Sequence, residues 1–456
     1  MLRALLYADD VVLTADSVAG LQEMLDGLHE FCRANSMFVN MEKSEVVVYG
    51  GGQQRLTAVF TYNGASLPIK PGYVYLGMKF QDGLPAKAAI TAAVARARKA
   101  LHAVQSRCHA MKVRSVHLLC HLFDALVMPA MSYGCEVWGV DWLSKMCKDG
   151  NFATGEAEEV IHRRFLRQCL GVCKSTTTAV MYKDLGRRPV SMFWLRMATQ
   201  LWNRALSRKA EDWLRVALME NVRLAGDSSL AIKDRRSLWA WHFIACMDGL
   251  GLTWRSPTGV LLEIPKKMLG AAMQRKWETW ERRHVQAELG QDPAWARAAC
   301  AVRDAPPSFS KGFKLFVYER WFAADKWVKK EHWSYWLREP HHIRVVAQFR
   351  MGSHWLEVQR GRGERTQRAA RCCRACAGCV EDELHVLECP RYADVRMQLG
   401  VLPNVWTDAA VRKVMNRKTE EEWRKLADFL VICRDRKVEG DVGGSAPRVP
   451  SGQGAQ

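Results

Sequence analysis

Two hydrophobic rhythms run along this chain, and the change from one to the other divides it. Leu5-Leu6 and Val11-Val12-Leu13 are short apolar runs flanking Tyr7-Ala8-Asp9-Asp10, a pattern that predicts two strands joined by a turn. Ser17 is placed to cap a helix, after which Leu21, Met24, Leu25, Leu28, Phe31 and Cys32 fall on one stripe. Phe38-Val39 and Val46-Val47-Val48-Tyr49 read as extended, with Asn40 to Ser44 between them and Gly50-Gly51-Gly52 as the stop. Tyr73 to Met78 follows as another extended segment after Pro68 and Pro71-Gly72. A hairpin, a helix and a further strand predict an α+β layer with the helix packed on one sheet face.

From Lys87 the period becomes helical. Ile90, Val94, Ala97, Leu101, Val104 and Cys108 line one side, with Arg96, Lys99 and Arg107 on the other half. This reads as a core helix with a solvated back more readily than as a dedicated nucleic-acid face. His117 to Trp138 continues as an apolar helix broken around Pro129 and Gly134, and residues 157 to 300 read as helical throughout. Trp194, Trp202, Trp213, Trp239, Trp241, Trp277 and Trp280 are of a type that stacks on bases, but aromatic residues at helical spacing usually pack inward. The predicted class is α+β at the N-terminus, then predominantly α-helical, with a small C-terminal zinc-binding module. The boundaries are 1–80, 81–145, 146–343, 344–435 and a Gly/Pro/Ser-rich disordered tail, 436–456.

A net charge of +19 and a pI near 9.4 turn attention to a polyanionic partner, nucleic acid first and an anionic membrane surface second. No apolar run approaches the roughly 20 residues that span a bilayer. No secretory n-region or cleavage site opens the chain, so the expected location is intracellular, nuclear or cytoplasmic. Fifteen cysteines scattered over 456 residues fit reduced thiols, some of them metal ligands.

Three stretches carry candidate chemistry. Asp9 and Asp10 on a hairpin turn suit a hard divalent cation such as Mg²⁺, which takes one or two carboxylates together with substrate phosphates. Near the C-terminus, Cys373 and Cys376 are spaced C-x2-C, and His385 and Cys389 are spaced H-x3-C, one helical turn apart. Three thiolates and an imidazole suit tetrahedral structural Zn²⁺. Cys376 and Cys379 form a second C-x2-C pair, so the spacing alone leaves the ligand pair open. Arginines at 344, 350, 360, 362, 365, 368, 371 and 374 stand against only Glu357 and Glu364. Arg350, Arg360, Arg362, Arg365, Arg368 and Arg371 are thus candidate phosphate contacts.

Taken in order, these motifs resemble the C-terminal part of a reverse transcriptase from a non-LTR (LINE-type) retrotransposon. Leu5 to Asp10 is similar to the YADD hairpin of the polymerase palm, Asn40 with Lys43-Ser44 to the N-x-x-K-[ST] element, and Tyr75-Leu76-Gly77 to the Y-L-G element that grips the primer end. Leu122 to Leu126, Tyr133-Gly134, Glu136 to Gly139, Arg163 to Leu166, Leu185 to Pro189, Gly352 to His354 and Gly361-Arg362 extend the likeness to about residue 395.

The resemblance implies a partial palm over 1–80, a thumb-like segment over 81–145 and RNA-directed DNA polymerisation with two Mg²⁺. Its partners would be an RNA template and a DNA primer, with no membrane. It assigns metal ligation to Asp9 and Asp10, cofactor binding to Tyr7 and Ala8, leaving-group neutralisation to Lys43 and the primer to Tyr75 and Gly77. In that family a third aspartate sits on a palm strand preceding YADD, and no strand-like substitute follows in this sequence. The expectation is a chain that does not polymerise alone, the alternative being a non-catalytic zinc-containing nucleic-acid-binding protein. No nuclease-like P-D…[DE]-x-K arrangement follows the cysteines, and Glu421 to Lys425 reads as helical surface charge.

Overall fold

A computed structural model describes residues 4–50, 58–81, 85–149, 157–289, 317–322, 333–363, 366, 370–376, 378–399 and 406–443. The strands come as three separate antiparallel hairpins: β1 (Ala4–Tyr7) with β2 (Asp10–Leu13), β3 (Phe60–Tyr62) with β4 (Ala65–Leu67), and β5 (Gly72–Tyr75) with β6 (Met78–Gln81). No sheet of more than two strands forms among the described residues, so the continuous palm layer is not assembled here. Val46 makes a single parallel bridge to Ile69 in place of the strand expected over 46–49, and Phe38-Val39 is irregular.

What the N-terminal helix does match is its packing. Ser17 Oγ accepts from Gly20 N at 3.1 Å and starts α1 (Val18–Ala34). Its apolar stripe closes over Val46, Phe60, Tyr62 and Leu67, with Leu25 buried at the centre and Leu13 of β2 at the edge. Gln22 adds a two-way clamp, exchanging hydrogen bonds with the backbone of Thr61 at 2.9 and 3.0 Å.

The remaining described chain is almost entirely helical: α2 (Pro85–Ala110), α3 (Val140–Asp149), α4 (Ala157–Leu170), α5 (Thr178–Asp184), α6 (Val190–Leu206), α7 (Trp239–Leu250), α8 (Lys266–Leu289), α9 (Pro340–Arg350), α10 (Glu357–Gly363), α11 (Glu383–Glu388), α12 (Asp408–Met415) and α13 (Glu420–Gly443), with a further helix over Trp213–Gly226 and shorter helical segments between. The break expected near Pro129 takes the form of a π-turn over Phe123–Val127. Proline has no N–H for the carbonyl four residues back, and the widened turn absorbs that misfit without ending the helix. At Gly134, the other break expected, the chain does turn (φ +74°), and a Cβ there would meet Met78 Sδ at 2.6 Å.

The chain forms two compact units. The first comprises 1–98, 130–151 and 191–273; the second comprises 99–129, 152–190 and 274–456. In the first, Trp194 and Trp202 are fully buried and their indole N–H groups reach Ser132 Oγ (2.8 Å) and Leu262 O (2.9 Å). In the second, α9 packs along α13, and Trp277, Trp333 and Phe349 are among its largest buried side chains. Residues 436–443, expected in a disordered tail, continue α13, where Lys437 is buried with its ammonium on Glu357 (3.0 Å) and Glu381. No helix among the described residues is long and apolar enough to cross a membrane.

Candidate metal centre

The Cys/His cluster is built by a short loop and a single helical turn. Cys372 bridges Val380, Cys373 N donates to Cys379 O at 2.8 Å, and Cys379 N to Cys376 O at 3.1 Å. Gly378 takes φ +86°, a left-handed backbone that a side chain would strain, and so lets this loop close. Asp382 caps α11 by accepting from His385 N at 3.0 Å, which fixes the imidazole in the first turn. Cys389 ends that helix, its N–H on His385 O at 2.7 Å, so the two ligand candidates share one side.

Ligand atoms of Cys373, Cys376, His385 and Cys389 all lie within 4.8 Å of one another, and three of the four residues are buried. Cys376 Sγ and Cys389 Sγ stand 3.6 Å apart. Two sulfurs bound to one tetrahedral zinc at about 2.3 Å stand about 3.8 Å apart, so the cluster is already near liganded dimensions. Burial pushes the Cys389 thiol up to about 12 and raises that of Cys376 as well, so thiolate character here has to come from a bound cation. Cys373 and Cys376 converge with the His/Cys pair, and Cys379 is outside the set. The described cysteines are all free of disulfides. A soft, closed, buried Cys3His set of this kind fits structural zinc.

Charge pairs clamp the module to the body. Glu381 Oε2 accepts from Glu357 N at 3.0 Å and meets Lys437, while Arg436 on α13 grips Asp394 with two hydrogen bonds of 2.8 and 2.6 Å. His354 Nε2 meets Glu383 Oε1 of α11 at 2.8 Å, both side chains buried. One residue earlier, Ser353 Oγ accepts from Cys173 N at 3.3 Å and lies 2.8 Å from Thr176 Oγ1. The Gly352-Ser353-His354 motif is therefore a strut between the 173–176 turn and the metal-binding helix.

Aligned over 269 residues, the chain is 26% identical to a transposon-derived protein of Caenorhabditis elegans, across 56% of this chain and 77% of that protein. That similarity supports a transposon origin. No protein-family model matches the chain, and no solved structure does.

The other candidate residues fall elsewhere. Tyr7 pairs with Asp10 across a two-residue turn, Ala8-Asp9, in which Ala8 adopts φ +52°. An alanine in that region costs about 1–2 kcal/mol, a strain of the kind held at functional turns. Asp9 and Asp10 are exposed, and among the described residues the Cys/His cluster is the one place where three or more His, Cys or acidic side chains converge. Lys43 is exposed at the end of a 3-10 turn (Met41–Lys43), its N–H on Asn40 Oδ1 at 3.2 Å. Tyr75-Leu76-Gly77 is the bend of the β5–β6 hairpin, with Leu76 (φ +48°) and Gly77 (φ +76°) both left-handed. Tyr133 donates to Leu76 O at 2.7 Å, so two of the sequence motifs meet.

The arginine tract needs correction. Arg350 is 4% exposed, and its guanidinium is spent on Asp184 (2.8 and 3.2 Å), Phe322 O (2.6 Å) and Met415 O (3.0 Å). Arg371 is also buried and donates to Val358 O (2.8 Å) and Thr366 O (2.9 Å). Both guanidinium groups are buried and bonded within the fold, not turned out toward a phosphate. Arg360 is exposed beside Glu357 at 3.4 Å. The side chain of Arg362, and residues Arg365 and Arg368 entirely, lie outside the described residues.

A Ser/His/Asp constellation that sequence reading missed occurs in the first unit. His242 on α7 lies 2.9 Å from Ser144 Oγ and 3.2 Å from Asp141 Oδ1, both on α3. Ser144 is buried and its hydroxyl donates to Asp141 O at 2.8 Å. Such a hydroxyl has neither access to substrate nor a free proton path to the imidazole, so the three residues tie α3 to α7 and do no acyl chemistry.

Proposed function

We propose that this chain is the portion of a non-LTR-type reverse transcriptase that carries the YADD turn and a zinc-stapled, nucleic-acid-binding C-terminal body. With no third acid converging on Asp9 and Asp10 among the described residues, these 456 residues hold nucleic acid and do not polymerise. The observation that carries the reading is the convergence of Cys373, Cys376, His385 and Cys389 in a chain whose strained Ala8 turn presents Asp9 and Asp10 to solvent. Asp9 and Asp10 would hold Mg²⁺ jointly with a further carboxylate that the described residues do not place beside them, and Lys43 would neutralise the departing pyrophosphate. Tyr75 and Gly77 would lie along the primer, held by Tyr133.

The purified chain is expected to carry about one zinc, to bind RNA and DNA in a salt-dependent way, and to add no nucleotide to a primer–template with Mg²⁺. Primer extension abolished by Asp9→Ala would overturn the incomplete-centre part, and absence of any nucleic-acid binding would overturn the reading as a whole.

A further inference from the structure

On helix α4 one side is buried through His162, Phe165, Leu166 and Cys169, and the opposite side carries the exposed Arg164 with Arg163 and Arg167, both half-buried, within little more than one turn. No Asp or Glu occurs from residue 160 to 183. The acids that bracket this run are buried and engaged: Tyr182 donates to Glu159 at 2.6 Å, and Asp184 holds Arg350. Past the helix, Lys174 is exposed in a turn that Ser353 braces through Cys173 and Thr176. Arg344 is exposed on α9, whose next turn donates from Gln348 Nε2 to Gly171 O at 2.8 Å. A Cβ on Gly171 would stand 3.6 Å from Arg344 Cδ, so the two elements meet closely.

Among the described residues none of these five cations has an acidic partner. Arg167 donates only to Thr176 O, at 3.3 Å, while its Nε is buried without an acceptor. Burial and the repulsion of Arg163 hold its pKa below the ordinary arginine value.

We infer that Arg163, Arg164, Arg167, Lys174 and Arg344 form a surface that binds the phosphodiester backbone of nucleic acid. Five cations with no acid among them, spread over a helix face, a turn and a second helix, suit an extended polyanion better than a single phosphate. A nucleic-acid strand offers one charge per about 3.4 Å of axis. The backbone of the Lys174 turn and of Gly171 is held by hydrogen bonds, which fixes where these side chains leave the fold. The inference rests on the proposed function and gives its phosphate contacts a place that the buried Arg350 and Arg371 do not supply.

The test is titration of RNA and DNA oligonucleotides of one sequence into the full zinc-bound chain, wild type against R164A/K174A/R344A, across a salt series. Three lost phosphate contacts should weaken binding at low salt on both polymers and lower the slope of log K on log[salt] by about 2 for single strands. Zinc content and melting temperature should match wild type, and R164K/R344K should keep the wild-type slope. If the wild type binds and the triple variant binds with the same slope, the inference is overturned while the proposed function stands. Should the wild type bind neither polymer, the proposed function fails first. A variant that loses phosphatidylserine–phosphatidylcholine vesicle binding yet keeps nucleic acid would also overturn the inference, assigning the face to lipid.

Discussion

Asp184→Asn tests whether Arg350 is a structural residue or a phosphate ligand. The Asp184 carboxylate accepts two bonds from Arg350 (2.8 and 3.2 Å), one from the Tyr318 hydroxyl (2.6 Å) and one from the Trp333 indole (3.1 Å). Burial opposes the Arg350 charge and Asp184 outweighs it, so the guanidinium is held above its ordinary range. An amide keeps one oxygen and turns an NH₂ group toward donors, leaving a buried cation short of its counter-charge. Removing one partner of such a pair costs about 3–5 kcal/mol. Tyr318, Phe322, Trp333 and Trp423 crowd the guanidinium, so tryptophan fluorescence during urea unfolding reads the site directly. The expected result is a large fall in the unfolding midpoint for Asp184→Asn and for Arg350→Met alone. The double change D184L/R350M should recover part of the loss, because an apolar pair buries neither charge. An Arg350→Met protein with wild-type stability and weakened RNA binding would refute the reasoning and return Arg350 to the phosphate.

The remaining predictions concern the metal, a glycine and an acid-sensitive histidine. Cys376→Ser should drop zinc content from about one per chain toward zero, whereas Cys379→Ser should leave it unchanged, measured by elemental analysis. At Gly361 a Cβ would sit 2.8 Å from Arg371 Cγ, so Gly361→Ala should cost about 1–3 kcal/mol of stability by pushing Arg371 off its carbonyl acceptors. His162 is fully buried against Phe123, with Tyr182 and Glu159 at its Nδ1. Burial lowers its pKa, with Glu159 pulling the other way, so the unfolded chain takes up its proton first as pH falls below about 6.5. The His162 contribution is therefore whole above that pH and is lost on acidification. A His162→Gln chain should show a flatter dependence of melting temperature on pH between neutral and mildly acidic buffer.

Local patterns were legible in the sequence, and long-range partners were not. The Tyr7–Asp10 hairpin, the α1 stripe and the Cys/His spacing are decided by neighbours within a few residues, and each is found where the pattern puts it. Val46 to Tyr49 has strand-like composition but one bridging partner, so propensity had nothing to pair with. Asn63-Gly64, with both residues left-handed, was an unused signal for the β3–β4 hairpin. Arg350 read as a phosphate ligand because its acid lies 166 residues away, beyond any local charge count. The opposite clue, the acid-free run from 160 to 183, was present in the sequence and went unweighed against the denser arginines downstream. Lys437 misled in the same way, since its flanking Gly/Pro/Ser composition conceals a buried ammonium.

That lysine decides where this protein can be cut. A version trimmed near residue 435 on grounds of composition would keep every zinc ligand and still strand Glu381, 2% exposed, with no cation to face. The buried Glu381 carboxylate would then face the half-buried Glu357 without the cation that had joined them. The shortest workable C-terminal fragment has to run through the final helix, which makes the metal knuckle and that helix one unit of inheritance.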